Sequence, residues 1–167
     1  MGKLSIQNLI NSTLFKYNFL FISGLLASFS LPPINLFPFI FFLSLPIIFL
    51  IKCRNWKEAL IIGFLSAFGW FVFSLYWLSN ALIVSGGIHL WFIPLVFICF
   101  PAFLSLFWGL AFFSTFVLGK SISEKLLFLL LILPFFEWLR GTIFSGFPWN
   151  MIGFSLNNPL EISQTIS

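Results

Sequence analysis

Apolar residues fall into five long runs, at 17–31, 36–51, 59–78, 90–118 and 126–143. Short polar breaks separate them: Pro32-Pro33, the charged stretch from Lys52 to Glu58, the Gly-containing stretch from Ser79 to His89, and the stretch from Gly119 to Lys125. Apolar and polar positions do not alternate within the runs, as an outer-membrane barrel requires. Runs this long in lipid must satisfy their backbone internally, which leaves the α-helix. The pattern therefore predicts an all-α fold, a polytopic transmembrane helix bundle of about five spans. The whole of 1–167 reads as one transmembrane region, with 144–167 as an outer-face segment. The first two runs are short for spans, and the proline pair between them ends one helix and starts the next. Pro94 and Pro101 are expected to kink the long fourth run.

Composition removes the soluble alternative. Hydrophobic residues make up 60% of the 167, charged residues 7%, and the mean hydropathy is +1.12. A soluble domain carries roughly 25% charged residues. There is no aspartate, and no water-facing surface can be built from so few charges.

Charge position then sets orientation. With five spans, residues 1–16, 52–57 and 119–125 lie on one side and hold Lys3, Lys16, Lys52, Arg54, Lys57, Lys120 and Lys125, seven of the eight basic residues. The opposite breaks, 32–35 and 79–89, hold none. By the positive-inside rule the N-terminus is cytoplasmic and the C-terminus outside. Tyr76, Trp77, Trp91, Trp138 and Trp149 fall near the outer boundary, where aromatic rings form an interfacial belt. Ser28-Phe29-Ser30 is a poor small-x-small cleavage site, so the first run reads as an uncleaved span. The basic balance, with a pI near 9.4, reflects this topology and anionic lipid rather than nucleic acid.

Little reactive chemistry is visible. His89 reads as an interfacial histidine, Cys53 as a loop thiol and Cys99 as a small core residue. No catalytic residue, cofactor site or metal-ligand set is expected from the spacing. Glu137 and Arg140 stand out, three apart and about two-thirds along the fifth run. On a helix they share a face and can pair. A charge at mid-membrane costs on the order of 3 kcal/mol, so each needs a reason. Two readings stay open: a neutralised pair that orients the helix and pins the following loop, or a polar outer-face site that receives a lipid headgroup or another domain. In that loop Gly146 allows a close turn and Pro148 fixes the approach angle. Trp149 is then presented either as an anchor in lipid or as a wall of an acyl-chain portal.

These residues resemble the apolipoprotein N-acyltransferases of the bacterial inner membrane. The motifs come in the family's order. They are the proline-bracketed turn from Ser30 to Pro38, then Gly63 to Gly69 with Phe73-Ser74-Leu75-Tyr76-Trp77. Glu137-Trp138-Leu139-Arg140-Gly141 with Gly146-Phe147-Pro148-Trp149 follows and is the most specific piece; then come Gly153-Phe154-Ser155 and Ile162-Ser163-Gln164. The resemblance runs from about residue 20 onward and implies an inner-membrane location. It implies transfer of a phospholipid acyl chain to the amine of a lipoprotein's N-terminal cysteine, through a thioester on a Glu, Lys and Cys of a periplasmic nitrilase-like domain. None of those three has a counterpart within these residues. Cys53 is on the wrong side, and neither Glu137 nor Lys125 lies in a catalytic motif. The expectation is the membrane portion of such an enzyme, truncated or split, inactive alone, and served by a separate nitrilase-like chain if one exists. A small transporter or channel subunit is the alternative, with Glu137 and Arg140 in its pathway.

Overall fold

The computed structural model describes residues 13–78, 93–143, 147 and 149–157, with backbone alone at 13, 93, 156 and 157. His89, Trp91, Pro148 and the break at 79–89 lie outside the described residues, as do 1–12 and 158–167. The described residues are helical, with no strand among them. The α-helices are α1 (Thr13–Ala27), α2 (Ser44–Lys52), α3 (Trp56–Ser74), α4 (Ile93–Leu118) and α5 (Ile122–Ile143). Short 3₁₀ segments cover Ser28–Ser30, Phe37–Leu43 and Ile152–Asn157. Among the described residues three helices are long and apolar enough to cross a membrane: α3, α4 from Pro94 onward, and α5.

Local chemistry explains the boundaries. After α1 the chain reverses at Pro32-Pro33, with Asn35 at φ 57°, a left-handed conformation that asparagine tolerates. The reversal is closed by the Leu36 N–H donating to the Phe29 carbonyl at 3.0 Å. The second apolar run is not one α-helix. Its first half is the 3₁₀ segment, which carries Pro38 in its first turn, and α2 starts only at Ser44. Pro46 sits in the first turn of α2, where its missing N–H costs nothing. Asn55 caps α3 by accepting the Glu58 N–H at 2.8 Å, while the Glu58 carboxylate accepts the Arg54 N–H at 3.0 Å. Ser121 and Glu124 form the equivalent box at α5, with the Glu124 N–H donating to Ser121 Oγ at 3.2 Å. The two charged breaks are thus helix starts as well as topology signals.

Helix α3 is the hub, packed against both α1 and α4, and α5 packs against α4. Small residues set the approach. A Cβ on Gly24 would lie 1.8 Å from the Ser66 carbonyl oxygen, and one on Gly69 2.0 Å from that of Phe21. A Cβ on Gly63 would lie 2.6 Å from the Trp108 carbonyl oxygen. Contact this close is how helices associate where lipid removes the hydrophobic drive between them. Trp70, Phe71, Leu104 and Trp108 form the core toward the end where α3 finishes. Leu20, Leu50, Ile62, Phe112 and Leu129 form the core toward the basic breaks. Leu130 and Leu131 are 73% and 61% exposed, a surface made for lipid.

The two thiols part from each other. Cys53 lies in the loop between α2 and α3, as expected, and is buried there with its Sγ donating to the Leu50 carbonyl. Cys99, expected in the core, is exposed on the outside of α4. The fourth run is apolar all round, so its pattern gave no sign of which face turns inward.

Candidate functional site

The predicted ionisable pair lies at the far end of α5, deep in the molecule. Arg140 is 1% exposed and Glu137 7%. Helical spacing puts both on one face, yet the gap between Arg140 Nη2 and Glu137 Oε1 is 3.9 Å. That is an ion pair without a direct hydrogen bond. The shorter contacts go to the chain that follows. Arg140 Nη2 donates to the Trp149 carbonyl at 2.7 Å. Both Glu137 carboxylate oxygens lie in reach of the Ile152 N–H, at 3.2 and 3.4 Å. The guanidinium also stacks 4.6 Å above the centre of the Phe71 ring, a cation–π contact with the hub helix.

Helix α3 holds the same segment from its other side. Trp70 Nε1 donates to the Asn150 carbonyl at 3.0 Å, and Asn150 Nδ2 donates to the Ser74 carbonyl at 2.8 Å. Asn150 has φ 40°, so the backbone turns sharply here and both ends of the residue reach α3. Ser74 is in the last turn of α3, and its carbonyl is one of the orphans that every helix end leaves. Trp149 packs edge-on against Phe100 of α4, with ring centroids 4.8 Å apart, and against Phe147 at 4.6 Å. Residues 149–155 therefore form a strap laid across the ends of α3, α4 and α5, with a buried cation and a buried anion beneath it.

The structure brings Glu137, Arg140 and Trp149 together, as grouped from the sequence; Pro148 is outside the described residues. Sequence reading missed Trp70, Phe71, Ser74, Asn150 and Ile152. Trp70 and Ser74 lie 80 and 76 positions from their partner, so no local pattern could join them. Asn150 carried a faint signal as a polar residue after an aromatic run. No group of three or more His, Cys, Asp or Glu side chains able to hold a metal ion occurs among the described residues. Away from the strap, burial pushes the Cys53 thiol up from its ordinary pKa despite the nearby Lys125 ammonium. It is a poor nucleophile at neutral pH.

Beneath the strap the walls are apolar. A cavity of about 490 Å³ runs along α5 between Leu129 and Trp138, reaches Ile47 of α2, and touches Glu137 and Ile152. The clamp can thus position backbone and orient a charge beside an apolar space.

Comparison with known proteins follows the same residues. Residues 23–167 match the family model described as the apolipoprotein N-acyltransferase N-terminal domain. The chain is similar to the apolipoprotein N-acyltransferase of Rhodopseudomonas palustris, 36% identical over 153 residues, covering 87% of this chain and 28% of that protein. It is also similar to that of Allorhizobium ampelinum, 35% identical over 142 residues, covering 79% of this chain and 27% of the relative. A third relative, from Bradyrhizobium diazoefficiens, is 34% identical over 151 residues, with 87% and 28% covered. The chain thus spans little more than a quarter of the length of the curated relatives it matches.

Proposed function

Since the chain belongs to the apolipoprotein N-acyltransferase N-terminal domain family, we propose that it is the membrane platform of such an acyltransferase. The platform sits in the bacterial inner membrane with the basic turns in the cytoplasm and the strap at the periplasmic face. There Glu137, Arg140 and Trp149 seat the strap, so that a phospholipid substrate or a periplasmic domain meets a fixed surface. The observation that carries this reading is the clamp itself. Two ionisable side chains are buried in an apolar helix and spend their shortest hydrogen bonds on backbone groups of one segment, not on each other. An ion or solute pathway would leave those groups free for its cargo.

The short helices fit the same frame. The 3₁₀ segment Phe37–Leu43 has seven residues and α2 has nine. At about 2.0 and 1.5 Å rise per residue they reach about 28 Å together, close to a ~30 Å hydrocarbon core. That gives five crossings and delivers the strap to the face opposite the basic turns.

By its resemblance the family moves an acyl chain from phospholipid to a lipoprotein's N-terminal amine, and the Glu, Lys and Cys that do so have no counterpart in these residues. On this reading these residues act only together with a nitrilase-like domain, whichever chain carries it. The test is co-expression with such a domain, assayed for N-acylation of a lipoprotein beside a full-length relative. Expected is no transfer by the platform alone and measurable transfer by the pair. Silence from every such pair, with the full-length control active, removes the reading.

A further inference from the structure

A second apolar cavity, about 370 Å³, adjoins the one beneath the strap. Ile47, Leu129, Leu133 and Ile152 line both, so the two form one furrow between α2 and α5 with a waist at those four side chains. Phe41, Leu130 and Trp138 stand at its edge and are exposed, which makes the long side of the furrow open to lipid. Its other end is marked by charge. Lys125 Nζ donates to the Ile51 carbonyl at 3.4 Å, bridging α5 to α2. Lys125 is one helical turn before Leu129, and Ile51 one turn after Ile47. The basic end of the furrow, at Leu129 and Ile47, thus lies one turn from a lysine among the basic turns, and Ile152 of the strap lines both lobes.

We propose that this furrow is a phospholipid site: one acyl chain lies along it from Lys125 to Ile152, and the lipid phosphate rests at Lys125. The lipid belongs to the leaflet at the basic end, opposite the strap, so the site is separate from the substrate surface proposed above and needs no catalysis.

Three features select this occupant. First is length. From Lys125 to Glu137 is twelve residues of α5, or about 18 Å at 1.5 Å per residue, which matches one leaflet of a ~30 Å core. Second is shape. A helix with its side chains is about 10–12 Å across and cannot pass a waist that splits the space into two lobes, whereas a methylene chain bends through it. Third is charge. Lys52, Arg54 and Lys125 gather at that end, while the nearby acids are committed, Glu58 to Lys16 and Glu124 to the N–H groups of its own cap. The uncompensated positive charge suits a phosphate. Ile152, which lines both lobes, then lies in reach of the chain's methyl end.

The experiment uses the full chain in vesicles of equal parts phosphatidylethanolamine and phosphatidylglycerol. A trace of phosphatidylglycerol with a diazirine near the acyl terminus is photolysed, and the adducts are mapped by peptide mass spectrometry. Adducts at Leu133 and Ile152 should exceed severalfold those at Leu106 and Leu110, which are exposed on α4 away from the furrow. In Lys125→Glu the excess should fall to the level of those controls, and Lys125→Arg should keep it. A diazirine fatty acid lacking the phosphate should show no excess. Even labelling of all four positions overturns the proposal, and so does an unchanged excess in a folded Lys125→Glu. Furrow positions protected from label while Leu130 cross-links between copies overturn it too, since a second copy would then be the occupant. The wild-type distribution decides the case by itself if the charge-reversed chain does not fold.

Discussion

Arg140 presents the sharpest energetic question at the scale of one residue. Its guanidinium is fully buried, and among the described residues Nε and Nη1 have no hydrogen-bond partner. What holds the charge is Glu137 at 3.9 Å, the Trp149 carbonyl and the Phe71 ring. Removing one member of such a set leaves the other as an uncompensated buried charge, which costs about 3–5 kcal/mol. Arg140→Ala should therefore destabilise the protein by about that amount in reversible unfolding from mild detergent into SDS. Glu137→Ala/Arg140→Ala should cost clearly less than the sum of the two single changes, because the second removes a charge the first has stranded. A single Arg140→Ala within about 0.5 kcal/mol of wild type would show that the pair bears no load. Glu137 and Arg140 were legible from the sequence because charge in an apolar run is conspicuous. That the strap, not the partner, takes their shortest bonds was not, since spacing of three announces only a shared face.

Among elements, the contact of α1 with α3 decides whether a bundle exists. Gly24 and Gly69 each abut a backbone carbonyl of the facing helix, and backbone cannot step aside as a side-chain tip can. Gly69→Leu should separate α1 from α3 and yield aggregated or rapidly proteolysed protein. Gly109→Ala, where a new Cβ would meet the Leu60 carbonyl oxygen at 3.3 Å, asks the helices to shift only slightly and should cost far less by size exclusion and thermal stability. Equal behaviour of the two would remove close packing as the basis of the bundle. All-α structure was readable from long apolar runs because lipid forbids any other use of them. The hub position of α3 was not. Runs that are apolar all round carry no amphipathic stripe, and the information lies instead in glycine spacing. For the same reason the inward face of α4, and with it the place of Cys99, was invisible in the pattern.

The proposed orientation belongs to the whole molecule and rests on two separate inferences, the number of crossings and the side on which lysines gather. The proposed five crossings would place the Pro32-Pro33 turn and the strap on one face, with the α2–α3 and α4–α5 turns on the other. If the 3₁₀ stretch Phe37–Leu43 did not lengthen the second run, α1 and α2 would dip in and return, and the basic turns would still share a side. The discriminating position is therefore the turn between them. In a background of Cys53→Ala and Cys99→Ser, a cysteine replacing exposed Ile34 should react with a membrane-impermeant maleimide in intact spheroplasts. A cysteine replacing Lys120 should react only after permeabilisation. Protection of both positions would mean that the first two helices form a re-entrant pair, leaving three full crossings, α3, α4 and α5. Three crossings from the same cytoplasmic start would still bring the strap to the outer face, so a periplasmic strap alone cannot separate the two arrangements. Labelling at position 34 can, because it asks whether an apolar run of ordinary α-helical rise is too short and a partly 3₁₀ one is long enough.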